Sequence, residues 1–402
     1  MRMLFVANET FPTSRVDVEV LFGRELLGRG HQIDFVMQAS EPGVLPQGSW
    51  AGRQVWIGPT DNRDGFLHRL RRQWLGMKHD IRCLRRARRD RYDCIQVRDK
   101  FLAGAIGVTL ARLRRIPFFF WLSFPTPESD VQRARERMAR YPLLTLLRGW
   151  LSGLLLYRWI LPLSDHVFVQ SERMKRDVCA RGIDPRKVTP VPMGVDMAEL
   201  AVRRAMPRAT AQSTIQLAYL GVVAAERRLD ILIDTLAELR AAGVDASLLI
   251  IGDARTPQER AVLEERATRL GVRDRLEITG FLPRDQALER ARSADIGISP
   301  IYRTPIFEVA SPTKLVEYMA LGLPVVANDQ PDQRQVLSSS RAGVCTPWGA
   351  RHFARGVRWL MARTPEEREE MGRRGRSWVE AHRSYRRVAD DVEKVYVKAT
   401  RA

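Results

Sequence analysis

Between Glu308 and Asn328 the chain reads Glu-Val-Ala-Ser-Pro-Thr-Lys-Leu-Val-Glu-Tyr-Met-Ala-Leu-Gly-Leu-Pro-Val-Val-Ala-Asn. Ser311 suits a helix N-cap and Pro312 the first helical position. Gly322 and Pro324 end that helix. The first turn of a helix carries backbone N–H groups without intrahelical partners and a partial positive charge, so it attracts phosphate. Thr313 and Lys314 fall in this turn, and Lys314 adds an ammonium. Glu317 is the lone acid among Leu315, Val316, Tyr318, Met319 and Leu321. A carboxylate in an apolar helix needs a partner. It can accept hydrogen bonds from two neighbouring hydroxyls, as on a ribose. It can equally pair with an arginine, leaving the rest as ordinary capping. Glu308 precedes the helix and can reach a sugar or its phosphate.

These residues need a frame, and the sequence supplies strands alternating with helices. Strands are predicted at Met3–Ala7, Ile33–Met37, Asp93–Val97, Pro117–Leu122 and His166–Gln170, with helices at Val18–Arg29, Leu102–Leu113 and Glu172–Arg181, the last capped by Ser171. A basic stretch without period follows at 201–214 and reads as a linker. The alternation restarts at Ile215–Leu220 and runs through Ala246–Ile251, Leu276–Thr279, Ile296–Ser299 and Val325–Asn328, with helices between them. Such alternation predicts an α/β fold of parallel sheets covered on both faces. The expected architecture is two doubly wound, Rossmann-like domains facing each other across a cleft: 1–200, then 215–375, with a helical segment 376–402 packing back across them. Ligands in such sheets bind beyond the carboxyl ends of the strands.

The chain has 402 residues, 66 Lys+Arg against 47 Asp+Glu, and a formal net charge of +19. Such a balance calls for an acidic partner: phosphorylated substrate, anionic lipid or nucleic acid. No recognition-helix or aromatic RNA motif accompanies the charge, so nucleic acid is not expected. From Arg63 to Arg91 there are 11 Lys or Arg and three Asp, interleaved with Trp74, Leu75 and Met77. A second segment, Arg133–Ser164, is rich in Leu and Trp but interrupted by Arg148 and Arg158. That is too short for a span, which needs about 20 apolar residues. It reads either as an interfacial amphipathic helix or as a core helix with exposed arginines. The N-terminus lacks a signal-peptide pattern. The four scattered cysteines form no CxxC pair and the histidines no ligand spacing, so neither disulfides nor a metal site is expected. A cytoplasmic protein held peripherally at the inner face of the cell membrane is the expectation.

The order of several short motifs resembles the GT-B glycosyltransferases of family 4, the glycosyl transferases group 1. The motifs are Gly28–Val36, Val167–Ser171, Val188–Asp196, Tyr219–Gly221 with Arg227, Ile250–Asp253, Thr279–Phe281 and Glu308–Asn328. The resemblance implies retaining transfer of a sugar from a UDP- or GDP-linked donor, and the basic, apolar-rich first domain adds the expectation of a lipid-linked or glycan acceptor in cell-surface glycan synthesis. It implies no metal and no separate cofactor. By it, Arg227, with Gly221 and Arg228, would meet the phosphates, and backbone N–H groups from Ser311 to Lys314 the pyrophosphate. Glu317 would hold the ribose, Gly280 and Phe281 would border the base, Asp253 would lie nearby, and Glu308 would face the donor sugar. The first glutamate of the family pair falls at Val309, so Glu308 stands one residue early. Val222 stands where an arginine often follows the glycine, and no histidine occurs in Trp121–Glu128. Arg15, Asp17, Arg98, Asp99, Ser123 and Glu128 are candidates for acceptor contacts only. The departures keep open a nucleotide-sugar epimerase or a non-catalytic binding protein of the same fold.

Overall fold

The computed structural model describes residues 1–13, 15–63, 65–200 and 214–401. The chain divides into two compact units, Met1–Pro192 with Val388–Ala402, and Met193–Arg387. Apart from Thr214, the expected linker lies outside the described residues.

The first unit runs β1 (Arg2–Phe11), β2 (Gln32–Ala39), β3 (Gln47–Trp50), β4 (Arg53–Gly58), α1 (Phe66–Arg86), β5 (Cys94–Arg98), α2 (Phe101–Arg114) and β6 (Phe118–Leu122). Then come α3 (Thr126–Arg135), α4 (Pro142–Leu155), α5 (Leu161–Leu163), β7 (His166–Val169), α6 (Glu172–Cys179) and β8 (Val188–Pro190). The sheet order is β3-β4-β2-β1-β5-β6-β7-β8. β3 and β4 form an antiparallel hairpin, and the other pairs are parallel. Strand order reverses between β1 and β5, the point where such sheets leave a crevice. β6 is Phe-Phe-Phe-Trp-Leu, buried throughout, as a parallel strand covered on both faces must be. Each such aromatic side chain stabilises the fold by about 1.5–3 kcal/mol.

The structure differs locally from the predicted elements in two places. The segment predicted as an α-helix from Val18 is π-wound over Asp17–Leu26, with Val18, Leu21, Phe22 and Leu26 still buried. The β3–β4 hairpin turns on Ala51 and Gly52, both at positive φ (50° and 74°), the primed-turn geometry that matches strand twist. Alanine is a poor advertisement for that conformation, so the turn leaves little trace in the sequence.

The second unit runs β9 (Ile215–Leu220), α7 (Asp230–Ala241), β10 (Ala246–Ile251), α8 (Pro257–Arg269), β11 (Leu276–Ile278), α9 (Arg284–Arg292) and β12 (Ile296–Ser299). It continues through α10 (Pro305–Glu308), α11 (Thr313–Ala320), β13 (Val325–Asn328), α12 (Pro331–Ser340), β14 (Gly343–Thr346), α13 (Ala350–Met361) and α14 (Pro365–His382). Its parallel sheet has the order β11-β10-β9-β12-β13-β14, reversing between β9 and β12. Leu217, Tyr219, Leu248, Ile250, Ile298, Val326 and Phe353 belong to its core. The helical C-terminal segment breaks at Arg383 and Ser384 before α15 (Tyr385–Arg401). Arg383 is buried, with its guanidinium on Asp332 at 2.7 Å. Farther along α15, Tyr396 stacks edge-on against Phe119 and Phe168 of the first unit, at 4.8 and 5.2 Å between ring centres.

Candidate active site

Because the strands of the second unit are parallel, their carboxyl ends share one edge, and most of the donor-site residues expected there sit on it. Gly221 follows β9, Asp253 follows β10, and Gly280 and Phe281 follow β11. The three turns are packed backbone to backbone. Gly221 N–H donates to Ile251 O at 2.8 Å, and Gly252 bridges to Gly280. A Cβ on Gly252, at φ +146°, would stand 2.4 Å from Gly221 O, so only glycine fits there. Asp253 is spent locally: its carbonyl accepts from Val223 N–H and its carboxylate from Ala254 N–H. Phe281 is 81% exposed.

Lys314 lies against this edge. A Cβ on Gly221 would meet Lys314 Cε at 2.7 Å and Nζ at 3.0 Å. The ammonium also stands 5.4 Å from the centre of the Tyr219 ring. Burial, reinforced by the charge of Arg227 and opposed by Glu317, lowers the Lys314 pKa to about 7. Two cations have therefore been brought close together, one of them desolvated, beside the start of α11. An anion would relieve that repulsion. Arg228, the neighbouring candidate, instead pairs with Asp230 at 3.3 Å and stacks over Tyr302.

The strip from Glu308 to Asn328 departs from expectation at its helix start. Ser311 is not the N-cap of α11: Pro312 holds that place without a side-chain cap, and Thr313 opens the helix. Ser311 Oγ instead accepts from Met193 N–H at 3.0 Å and from Arg383 at 3.1 Å, and donates to Asp332 at 2.9 Å. Glu317 is buried and takes an arginine, Arg284, at 3.1 Å. Arg284 also holds Glu199 at 2.9 Å. Glu308 closes α10 and pairs with Arg303 at 2.9 Å, while Val309 beside it is buried. The Gln330 carboxamide donates to the carbonyls of Phe307, Glu308 and Ala310 and so fixes this turn. Sequence reasoning missed Arg284, Asp332 and Arg383. Their partners are far away along the chain, and no local pattern marks them.

Arg98 and Ser123 belong to the first unit. Arg98 is wholly buried at the end of β5, its Nη2 on Asp17 at 2.6 Å, with Asp99 and Glu9 3.6 and 3.9 Å from Nε. Ser123 donates both its N–H and its hydroxyl to Asp99. Burial raises the carboxyls of Glu9 and Asp99 above the usual range. Burial alone would raise Asp17 too, but Arg98 and then Arg15 hold it below. Glu128 pairs with Arg181 and Tyr157, a structural role.

The Leu- and Trp-rich segment divides in two. Leu156, Ile160 and Leu161 are buried core. On α4 only Gly149 is buried, at a spot where a Cβ would lie 2.9 Å from Pro127 O. Arg148 turns inward to Asp130 through two hydrogen bonds of 2.7 and 2.8 Å. Leu143, Leu147 and Trp150 are left more than half exposed, so the core-helix alternative fails for α4. A groove of about 430 Å³ joins α4 to α1 through Arg69, Leu70, Gln73, Tyr141 and Leu144. Among the described residues no helix is long and apolar enough to cross a membrane.

The sequence matches the family described as glycosyltransferase family 4 over residues 20–199 and the glycosyl transferases group 1 over residues 207–378. A GDP-mannose-dependent alpha-(1-6)-phosphatidylinositol dimannoside mannosyltransferase of Mycobacterium tuberculosis is 30% identical over 189 residues, 46% of each chain. The 2-deoxystreptamine glucosyltransferase of Streptomyces kanamyceticus is 27% identical over 265 residues, 61% of this chain and 62% of that one. The chain thus spans about half the length of the mycobacterial relative it matches. In fold it is similar to a sucrose-phosphate synthase from Thermosynechococcus elongatus, with a TM-score of 0.73, 16% identity and 99% of both chains covered. Anabaena HepE, solved in complex with UDP and glucose, gives a TM-score of 0.67 at 14% identity over 99% of this chain and 100% of that one.

Proposed function

Because the chain belongs to the family 4 glycosyltransferases of the GT-B fold, we propose that it moves a sugar from a UDP- or GDP-linked donor to a lipid-linked or polysaccharide acceptor, with retention at the anomeric carbon. The observation that carries this reading is the packing of Lys314 against Gly221 at the strand reversal of the second unit, with the charge of Arg227 acting on the Lys314 ammonium. As the bond from the anomeric carbon to the diphosphate breaks, negative charge grows on the leaving oxygen. Lys314, Arg227 and the N–H groups at the start of α11 stabilise it there. The acceptor oxygen bonds to the same face of the carbon, and its proton leaves with the diphosphate. Glu317, oriented by Arg284, accepts from the ribose hydroxyls; Gly280 and Phe281 border the base. Glu308, paired with Arg303, faces the sugar.

Proton NMR of the sugar released from a donor bearing an α-linked sugar tests the reaction. An α-configured first product is expected. A β-configured one contradicts retention, and an isomerised nucleotide sugar formed without acceptor points to an epimerase.

The acceptor side of the reading rests on the first unit. The exposed Leu and Trp of α4 and the arginines of α1 combine apolar surface with positive charge, as proteins bound at anionic lipid surfaces do. Catalysis at the inner face of the cell membrane follows. Arg82 and Arg85 are exposed on α1. Arg82→Glu with Arg85→Glu is expected to weaken sedimentation with phosphatidylglycerol vesicles by about tenfold or more, at roughly 1 kcal/mol per charge. Unchanged sedimentation contradicts the membrane assignment.

A further inference from the structure

The first unit holds a cavity of about 800 Å³ beyond the carboxyl ends of β1, β2 and β5, with α1, α3 and α4 completing its wall. That is room for one or two sugar rings. Its charged lining is already largely neutralised. Lys100 is taken by Asp80 at 2.8 Å, and Arg148 by Asp130. Apart from Arg72, exposed on α1, the lining groups that remain are acidic or uncharged. Glu9 and Asp99 line the cavity. Among the described residues none donates a hydrogen bond to Glu9, whose nearest cations are Arg15 at 3.8 Å and Arg98 at 3.9 Å. Arg98 Nε and Nη1 are buried without hydrogen-bond partners, so the guanidinium holds this acidic pair by charge. Gln38 also lines the cavity, and its Nε2 is a buried donor without a partner. Gly58 and Gly76 flank that carboxamide, and a Cβ on Gly58 would stand 2.7 Å from its oxygen.

Two carboxylates beside an amide donor match adjacent hydroxyl groups, each of which both donates and accepts. A phosphate would face the same carboxylates with no free buried cation to receive it, the exposed Arg72 being well solvated by water. We propose that the cavity takes an uncharged polyol, a sugar or cyclitol ring, whose hydroxyls donate to Glu9 and Asp99 and accept from Gln38, and that it rejects a phosphorylated ring. This rests on the reading that the chain transfers a sugar to an acceptor bound by the first unit. Arg98 is a positioning residue, since it acts through Glu9 and Asp99.

Saturation-transfer NMR on the full chain tests it with methyl α-D-glucopyranoside, octyl β-D-glucopyranoside and glucose 6-phosphate. Both glucosides are expected to bind, with Kd raised at least about fivefold by Glu9→Gln, the loss of one charge-assisted hydrogen bond. Asp99→Asn, tolerated because Asn adopts the positive φ of 53° found at Asp99, is expected to act alike. It also covers the case of Glu9→Gln failing to fold. Tighter binding of the octyl than of the methyl glucoside assigns the ring to a glycolipid; equal binding assigns it to a free or polymeric glycan. Glucose 6-phosphate binding more tightly than methyl glucoside overturns the proposal, as do glucosides whose binding neither variant changes. If UDP or GDP binds while no glucoside does, the cavity assignment fails and the donor reading stands. If the glucosides bind but no nucleotide does, the donor reading is the one that fails.

Discussion

Replacing Lys314 by methionine is expected to weaken UDP or GDP binding by about 10–100-fold, the worth of one hydrogen bond to a charged group. It is also expected to remove a pH dependence that the wild-type protein has. The Lys314 ammonium is buried and lies near Arg227, which brings its pKa to about 7. A diphosphate beside it favours the charged form, so the pKa in the complex is higher. Between those two values the complex carries more protons than the free protein does. Binding then takes up a proton, and affinity falls as pH rises, by up to about tenfold per pH unit. The window opens at about pH 7, and work between pH 7.5 and 9 keeps the diphosphate itself ionised. Calorimetry in two buffers of different ionisation enthalpy reads the proton directly. Wild-type affinity that is flat across this range, with no buffer-dependent enthalpy, contradicts the placement of Lys314 against the diphosphate.

Arg383→Met is expected to destabilise the second unit by about 3–5 kcal/mol, because it leaves Asp332 charged, buried and unpaired. The pair is tight, 2.7 Å, with both side chains almost inaccessible. Arg383 also donates to Ser311, whose hydroxyl accepts from Met193 N–H. Val195 N–H donates a further backbone bond of 2.8 Å to the Arg383 carbonyl. One guanidinium therefore fastens the approach to α11, the start of α12 and the break between α14 and α15. Removing both charges, as Arg383→Met with Asp332→Asn, is expected to recover more than half of the loss, since no charge is then left buried alone. Urea unfolding followed by tryptophan fluorescence checks this. A single variant that costs less than about 1 kcal/mol would mean that the pair is not structural.

The strands of the second unit were readable in the sequence because buried parallel strands are nearly continuous apolar runs. Ile215–Leu220, Ala246–Ile251, Ile296–Ser299 and Val325–Asn328 have the bounds their composition predicts. The β3–β4 hairpin was not readable: Gln47–Trp50 is polar, at a sheet edge, and turns on an alanine. Within the candidate site, the approach of Gly221 to Lys314 could be anticipated only from the order of motifs. The capping role expected of Ser311 is a local rule, and it is overridden by three partners brought in from residues 193, 332 and 383. For Glu317 both readings began from one fact, a carboxylate in an apolar helix. The arginine partner is present, on a helix whose sequence separation of 33 residues no spacing rule can bridge. Its ribose role now requires the second oxygen of the same carboxylate.

Thermal unfolding of the full chain with UDP, GDP, ADP and their sugars tests whether the carboxyl edge of the second unit binds a nucleotide diphosphate. Selective stabilisation by one nucleotide family is expected, close to 2.7 kcal/mol at a ligand concentration of about 100 times Kd, and it would name the donor base. A melting temperature unmoved by every one of them would contradict the claim.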